Sequence, residues 1–77
     1  MSEMDRLRWH CRRGMLELDL MLNRFIDRHL SSLTPDELMY FKEVLAFEDD
    51  DLWHVLSGRA EVNDNRLQTI VLMIRSC

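Results

Sequence analysis

The stretch Arg12-Arg13-Gly14-Met15-Leu16-Glu17 decides how this chain is read. On either side of it apolar residues recur at the spacing of amphipathic helix, whereas here two adjacent guanidiniums, a glycine and a carboxylate fall together. Read as a boundary, it ends one helix and begins another. Arg12 and Arg13 would complement the partial negative charge of a helix C-terminus, Gly14 would supply the left-handed stop, and Glu17 would face the positive end of the next helix. A second reading stands beside the first. A guanidinium is a planar fork of donors suited to a carboxylate, a phosphate or a backbone, and a residue without Cβ lets another chain come close. Glu17, four residues after Arg13, would reach that fork if the chain stayed helical, and would hold it in one orientation. On this view the stretch is a preorganised docking surface.

Toward the N-terminus, Ser2 can cap a first helix over about 3–13, with Met4, Leu7 and Cys11 as a narrow apolar stripe. Trp9 lies off that stripe, as a lid over the core or as a recognition residue. Toward the C-terminus, a second helix over about 15–30 places Met15, Leu18, Leu22, Phe25, Ile26 and His29 on one face. That makes it the core helix, with His29 at the edge of the core. Leu16 and Leu20 project to its polar side, where either another helix covers them or they stand exposed beside Glu17.

The remaining punctuation is also helical. In Leu33-Thr34-Pro35-Asp36-Glu37, threonine is an N-cap, proline takes the first helical position and Glu37 closes a capping box, so a third helix runs over about 35–47. Its core face is Leu38, Phe41, Val44 and Leu45. The run Glu48-Asp49-Asp50-Asp51 lacks the spacing, the glycine and the terminal Glu of a calcium loop; acids gathered there complement the start of a fourth helix, about 50–57, that stops at Gly58. Asn63 or Asp64 caps a fifth, about 64–75, with Leu67, Ile70, Val71 and Ile74 inward. No sustained period-2 alternation appears. The expectation is an all-α protein, a compact five-helix bundle forming a single domain over 1–77.

Composition narrows the functional classes. A chain of 77 residues buries only about 60% of its unfolded surface, which leaves little room for an enclosed active site. Net charge is −4, unevenly spread: residues 1–28 carry six arginines against five acids, and 29–77 four basic residues against nine acids. The first part is too balanced, and the second too acidic, for duplex binding through a helix-turn-helix. Cys11 and Cys77 have no metal-ligand or redox spacing and read as free thiols of a reducing compartment. No window is long and apolar enough to span a bilayer, and Glu3 and Asp5 argue against a targeting peptide; the expectation is a bacterial cytoplasmic protein without membrane insertion. His10 and Cys11 point about 100° apart on a helix, so they are not a nucleophile and its base. With no catalytic or metal-binding set, Arg6, Trp9, Arg12, Arg13, Gly14, Leu16 and Glu17 are left to carry function, an arrangement suited to gripping another protein.

The run Arg6-x-x-Trp9-x-Cys11-Arg12-Arg13-Gly14-Met15-x-Glu17-Leu18-Asp19 resembles the signature of the succinate dehydrogenase FAD assembly factors, small five-helix proteins sharing an Arg-Gly-x-x-Glu motif. Here that motif is Arg13-Gly14-Met15-Leu16-Glu17. Leu33-Thr34-Pro35-Asp36-Glu37 resembles the family's helix start and Asp49-Asp50-Asp51-Leu52-Trp53 its acidic turn, so the likeness covers most of the chain. The resemblance implies a partner and a reaction. Such proteins bind the flavoprotein subunit of succinate dehydrogenase, and in bacteria that of fumarate reductase, and promote covalent attachment of FAD to a histidine of that subunit. They act as chaperones rather than enzymes; the expectation for this chain is that it binds no cofactor tightly and that FAD acts on the partner flavoprotein, with direct contact to FAD left open. Carried onto this chain, Arg13 and Glu17 would make polar contacts near the flavin linkage, Gly14 would allow close approach, and Arg6 and Arg12 would flank them. A flavin-independent interaction module such as an antitoxin is the alternative.

Overall fold

Helices begin in this chain where side chains supply partners for the first free N–H groups. In the computed structural model, which describes residues 2–77, the Ser2 hydroxyl accepts from the Asp5 N–H at 3.2 Å and Asp5 accepts from the Ser2 N–H at 3.4 Å, starting α1 (Glu3–His10). Thr34 and Glu37 exchange the same pair of bonds at 3.1 and 2.9 Å, with Pro35 at the first position, and start α3 (Pro35–Leu45). Asp64 caps α5 (Asn65–Arg75) by accepting from the Arg66 N–H at 2.9 Å, and the Arg66 guanidinium holds its carboxyl below the ordinary range. The other two helices lack a side-chain cap. α4 (Asp49–Leu56) begins at Glu48 with three aspartates in its first turn, and α2 (Leu16–His29) begins at Met15 and runs into a 3₁₀ turn over Leu30–Ser32.

Five helices and, among the described residues, no strand make the all-α architecture expected from the periodicity. The apolar faces meet as the spacing predicts: Leu18, Leu22, Phe25 and Ile26 of α2, Phe41, Val44 and Leu45 of α3, Leu52, Val55 and Leu56 of α4, and Ile70, Val71 and Ile74 of α5 are buried in one core. α5 lies against α2, α3 and α4. The Phe25 and Phe41 rings cross at 5.0 Å between centroids, and His29, at the edge of the core, tilts against Phe25 at 5.3 Å. α1 joins through buried Leu7 and Cys11 and an Arg8–Asp27 ion pair at 2.8 Å to α2. The Met4 side chain, expected on the same stripe, lies outside the described residues. The radius of gyration, 11.4 Å, matches the roughly 11.5 Å of a compact chain of this length. Among the described residues, no helix is long and apolar enough to cross a membrane.

The ends of the helices differ from expectation at the stretch that mattered most. α1 stops at His10 with Cys11 as its C-cap, so Arg12 and Arg13 lie beyond the helix and the basic residues of its last turn are Arg8 and His10. The Arg12 N–H still reaches back to the Trp9 carbonyl at 3.1 Å, but the next two N–H groups are taken from across the turn by a carboxylate on α2. Gly14, at φ +80°, completes the break. Similarly α3 ends at Leu45 rather than 47, and the carbonyls of Leu45 and Phe47 are turned to an outside donor.

Candidate functional site

The linker 11–15 is held at three points. Cys11 is fully buried, and Met15 is half-buried against the core. Between them the Asp19 carboxylate, one turn into α2, accepts from the Arg13 N–H at 2.7 Å with one oxygen and from the Gly14 N–H at 3.3 Å with the other. Two successive N–H groups turned to one side form a small anion-binding concavity, and Asp19 fills it from within the chain.

The Arg13 side chain runs the other way. Its guanidinium donates to the carbonyls of Leu45 and Phe47, the latter at 3.2 Å, and to the Asp49 carboxylate at 3.1 Å. It thus sits where the negative end of α3 meets the first acid of α4, a favourable place for a cation. The side chain is 16% exposed, and its Nε is buried without a protein partner. The expected Arg13–Glu17 pairing is therefore corrected. With helix broken between them, Arg13 turns inward to the α3–α4 corner and Glu17 stands exposed on α2.

The other predicted site residues lie on the outside. Gly14 is exposed, and a Cβ built on it would meet nothing within 4 Å. Its requirement for glycine is thus conformational, and the space in front of it is open. Leu16 is 75% exposed and Leu20 51%, so no helix of the bundle covers them, and they flank Glu17 on the outer face of α2. Trp9 is 66% exposed and is no lid; the Arg12 guanidinium lies 6.0 Å from its ring centre. Arg6, exposed one turn before Trp9, shares that side of α1. Trp9 and Arg12 also line an open cleft of about 340 Å³ with Asp5, Arg8, Asp19 and Asn23, at the junction of α1 and α2. The structure so brings Trp9, Arg12, Gly14, Leu16 and Glu17 to the surface around one linker, and takes Arg13 behind it.

Sequence reasoning missed Asp19 and the acceptors of Arg13. Asp19 carried a signal, being an acid one turn after a helix start that lacks a capping side chain. The carbonyls of Leu45 and Phe47 carried none, since a backbone acceptor has no letter of its own. A second open groove, about 560 Å³, lies beyond the α3–α4 corner between Phe47, Val55 and Val62, rimmed by Glu48, Asp51 and Glu61.

Burial pushes the Cys11 thiol up from 9.0 to about 12, against the pull of the nearby Arg13 and Arg8, so it stays protonated and inert. Among the described residues, no group of His, Cys, Asp and Glu side chains is placed to hold a metal ion.

Comparison with known proteins bears on the same stretch. A family model described as "Flavinator of succinate dehydrogenase" matches residues 5–77. "FAD assembly factor SdhE" of Legionella pneumophila (strain Lens) is 44% identical over 75 residues, 97% of this chain and 94% of that protein. The protein of the same name from Pseudomonas aeruginosa is 38% identical over 73 residues, 95% of this chain and 87% of its own, and that from Idiomarina loihiensis 32% over 76, 99% and 84%. With the model matched from the first helix to the last residue and relatives aligned nearly end to end, this chain belongs to the flavinator of succinate dehydrogenase family.

Proposed function

We propose that this chain is an assembly factor that binds the flavoprotein subunit of succinate dehydrogenase and promotes its covalent flavinylation. What carries the reading is the exposed set Gly14, Leu16 and Glu17, uncovered by any helix of the bundle and backed by a linker tied at Arg13 and Asp19. Two leucines, an aromatic ring and a carboxylate around an open glycine are an apolar centre with polar points, the make-up of a protein-binding patch. Membership of a family described by succinate dehydrogenase flavination supports the choice of partner.

The bond between FAD and a partner histidine is made within the flavoprotein. The small protein contributes by holding that subunit in the geometry where histidine and isoalloxazine are aligned, an orientation effect. FAD stays with the partner. In support, the cleft beside the patch mixes Asp5 and Asp19 with Arg8 and Arg12, and the groove beyond the α3–α4 corner is rimmed by acids, so neither suits a diphosphate. The flavoprotein of fumarate reductase, which undergoes the same modification, is a second partner.

Coexpression with either flavoprotein subunit in a strain lacking its own factor tests this, read as flavin fluorescence in a denaturing gel. Covalent flavin should rise with the wild-type chain, and an unchanged signal with both subunits overturns the proposal. Glu17→Ala should lose most of that gain while costing under about 1 kcal/mol of stability, because its carboxylate is exposed.

A further inference from the structure

The patch is only as well defined as the linker beneath it, and one side chain fixes that linker's backbone. α2 has no capping side chain at Met15; instead Asp19 reaches back past the helix start to the two residues before it. With one oxygen on each N–H, the carboxylate fixes the plane of both peptides, and with them the direction in which Gly14 faces. That direction is outward, toward the side on which nothing approaches within 4 Å. Asp19 is itself rigid, being inside α2, with its N–H bonded to the Met15 carbonyl at 2.9 Å and its carbonyl accepting from Asn23 Nδ2 at 2.9 Å.

We propose that Asp19 is a positioning residue for flavinylation: it touches no partner atom, and by holding the Arg13 and Gly14 N–H groups it presents the glycine beside Leu16 and Glu17 in the shape the flavoprotein accepts. This rests on the function proposed above. Loss of the carboxylate frees one part-buried and one exposed donor at the surface of the linker, within reach of water, while Cys11, Met15 and the Arg13 guanidinium still tether the chain. The fold therefore survives, and what is lost is preorganisation, which appears in binding.

The test titrates purified flavoprotein subunit and FAD with wild type, Asp19→Ala, Asp19→Asn and, as a control on the same helix, Asp27→Ala, each shown folded by circular dichroism at the assay temperature. The expected result is a half-saturating concentration raised about ten-fold for Asp19→Ala and less for Asp19→Asn, which keeps one acceptor, with the saturated rate near wild type. Asp27→Ala should match wild type. Amide hydrogen exchange at Arg13 and Gly14 should quicken in the Asp19 variants alone. A folded Asp19→Ala that half-saturates within about two-fold of wild type overturns the inference, as does unchanged exchange at both amides. If Asp19→Ala does not fold, Asp19→Asn decides in the same way. Absence of any stimulation by wild type overturns the proposed function instead, and exchange still reports whether Asp19 holds the linker.

Discussion

At Gly14 two demands meet that a single substitution cannot separate. A φ of +80° costs a residue with a Cβ about 1–2 kcal/mol, and the open space in front of it would be filled by any side chain. Asparagine tolerates the left-handed region better than alanine, so Gly14→Asn should keep more thermal stability than Gly14→Ala. If close approach is what the partner requires, both should fail in the flavinylation gel to the same degree. Arg13 makes the opposite prediction to Glu17. Arg13→Ala removes charge-assisted bonds to two carbonyls and a carboxylate and should lower stability by about 1.5–3 kcal/mol in denaturant unfolding. Cys11 links stability to pH with a definite sign. The unfolded thiol ionises above 9.0 and the folded one near 12, so between those values the unfolded chain holds fewer protons and stability falls as pH rises, by up to about 1.4 kcal/mol per unit. Cys11→Val should remove that part of the alkaline slope and leave the slope below about pH 8 untouched.

Among the helices, legibility followed the source of each bond. α3 was readable because Thr34, Pro35 and Glu37 each announce a role at a helix start, and the structure uses all three. Thr34→Ala should accordingly cost about 1 kcal/mol in thermal or urea unfolding. The break between α1 and α2 was legible at Gly14, but its extent was not: the helix gives way at Cys11 because Asp19 and the α3–α4 corner compete for the next residues. Periodicity along one helix cannot register a competitor on another. It did register the misfit of Leu16 and Leu20, which point away from the face that Leu18, Leu22 and Phe25 bury. Replacing both with serine should leave the melting temperature within a few degrees and weaken capture of the flavoprotein, measured by pull-down of the purified subunit.

Taken whole, the molecule is one core with an exposed linker region at its edge. Four helices gather around a buried centre to which α5 contributes Ile70, Val71 and Ile74, and α1 leans on it through Leu7 and Cys11. The proposed docking edge draws on both ends of this arrangement: the linker supplies the surface, and the α3–α4 corner supplies the carbonyls behind it. Arg13 spans the two, joining positions 34 and 36 residues apart in the chain. If the proposed function holds, a genetic screen for lost flavinylation should return lesions in Ala46, Phe47 and Glu48, such as one-residue insertions, which lie outside the proposed docking patch. Those alleles would look like damage at a remote bend, yet the arginine they strand ties down the linker that carries the proposed patch.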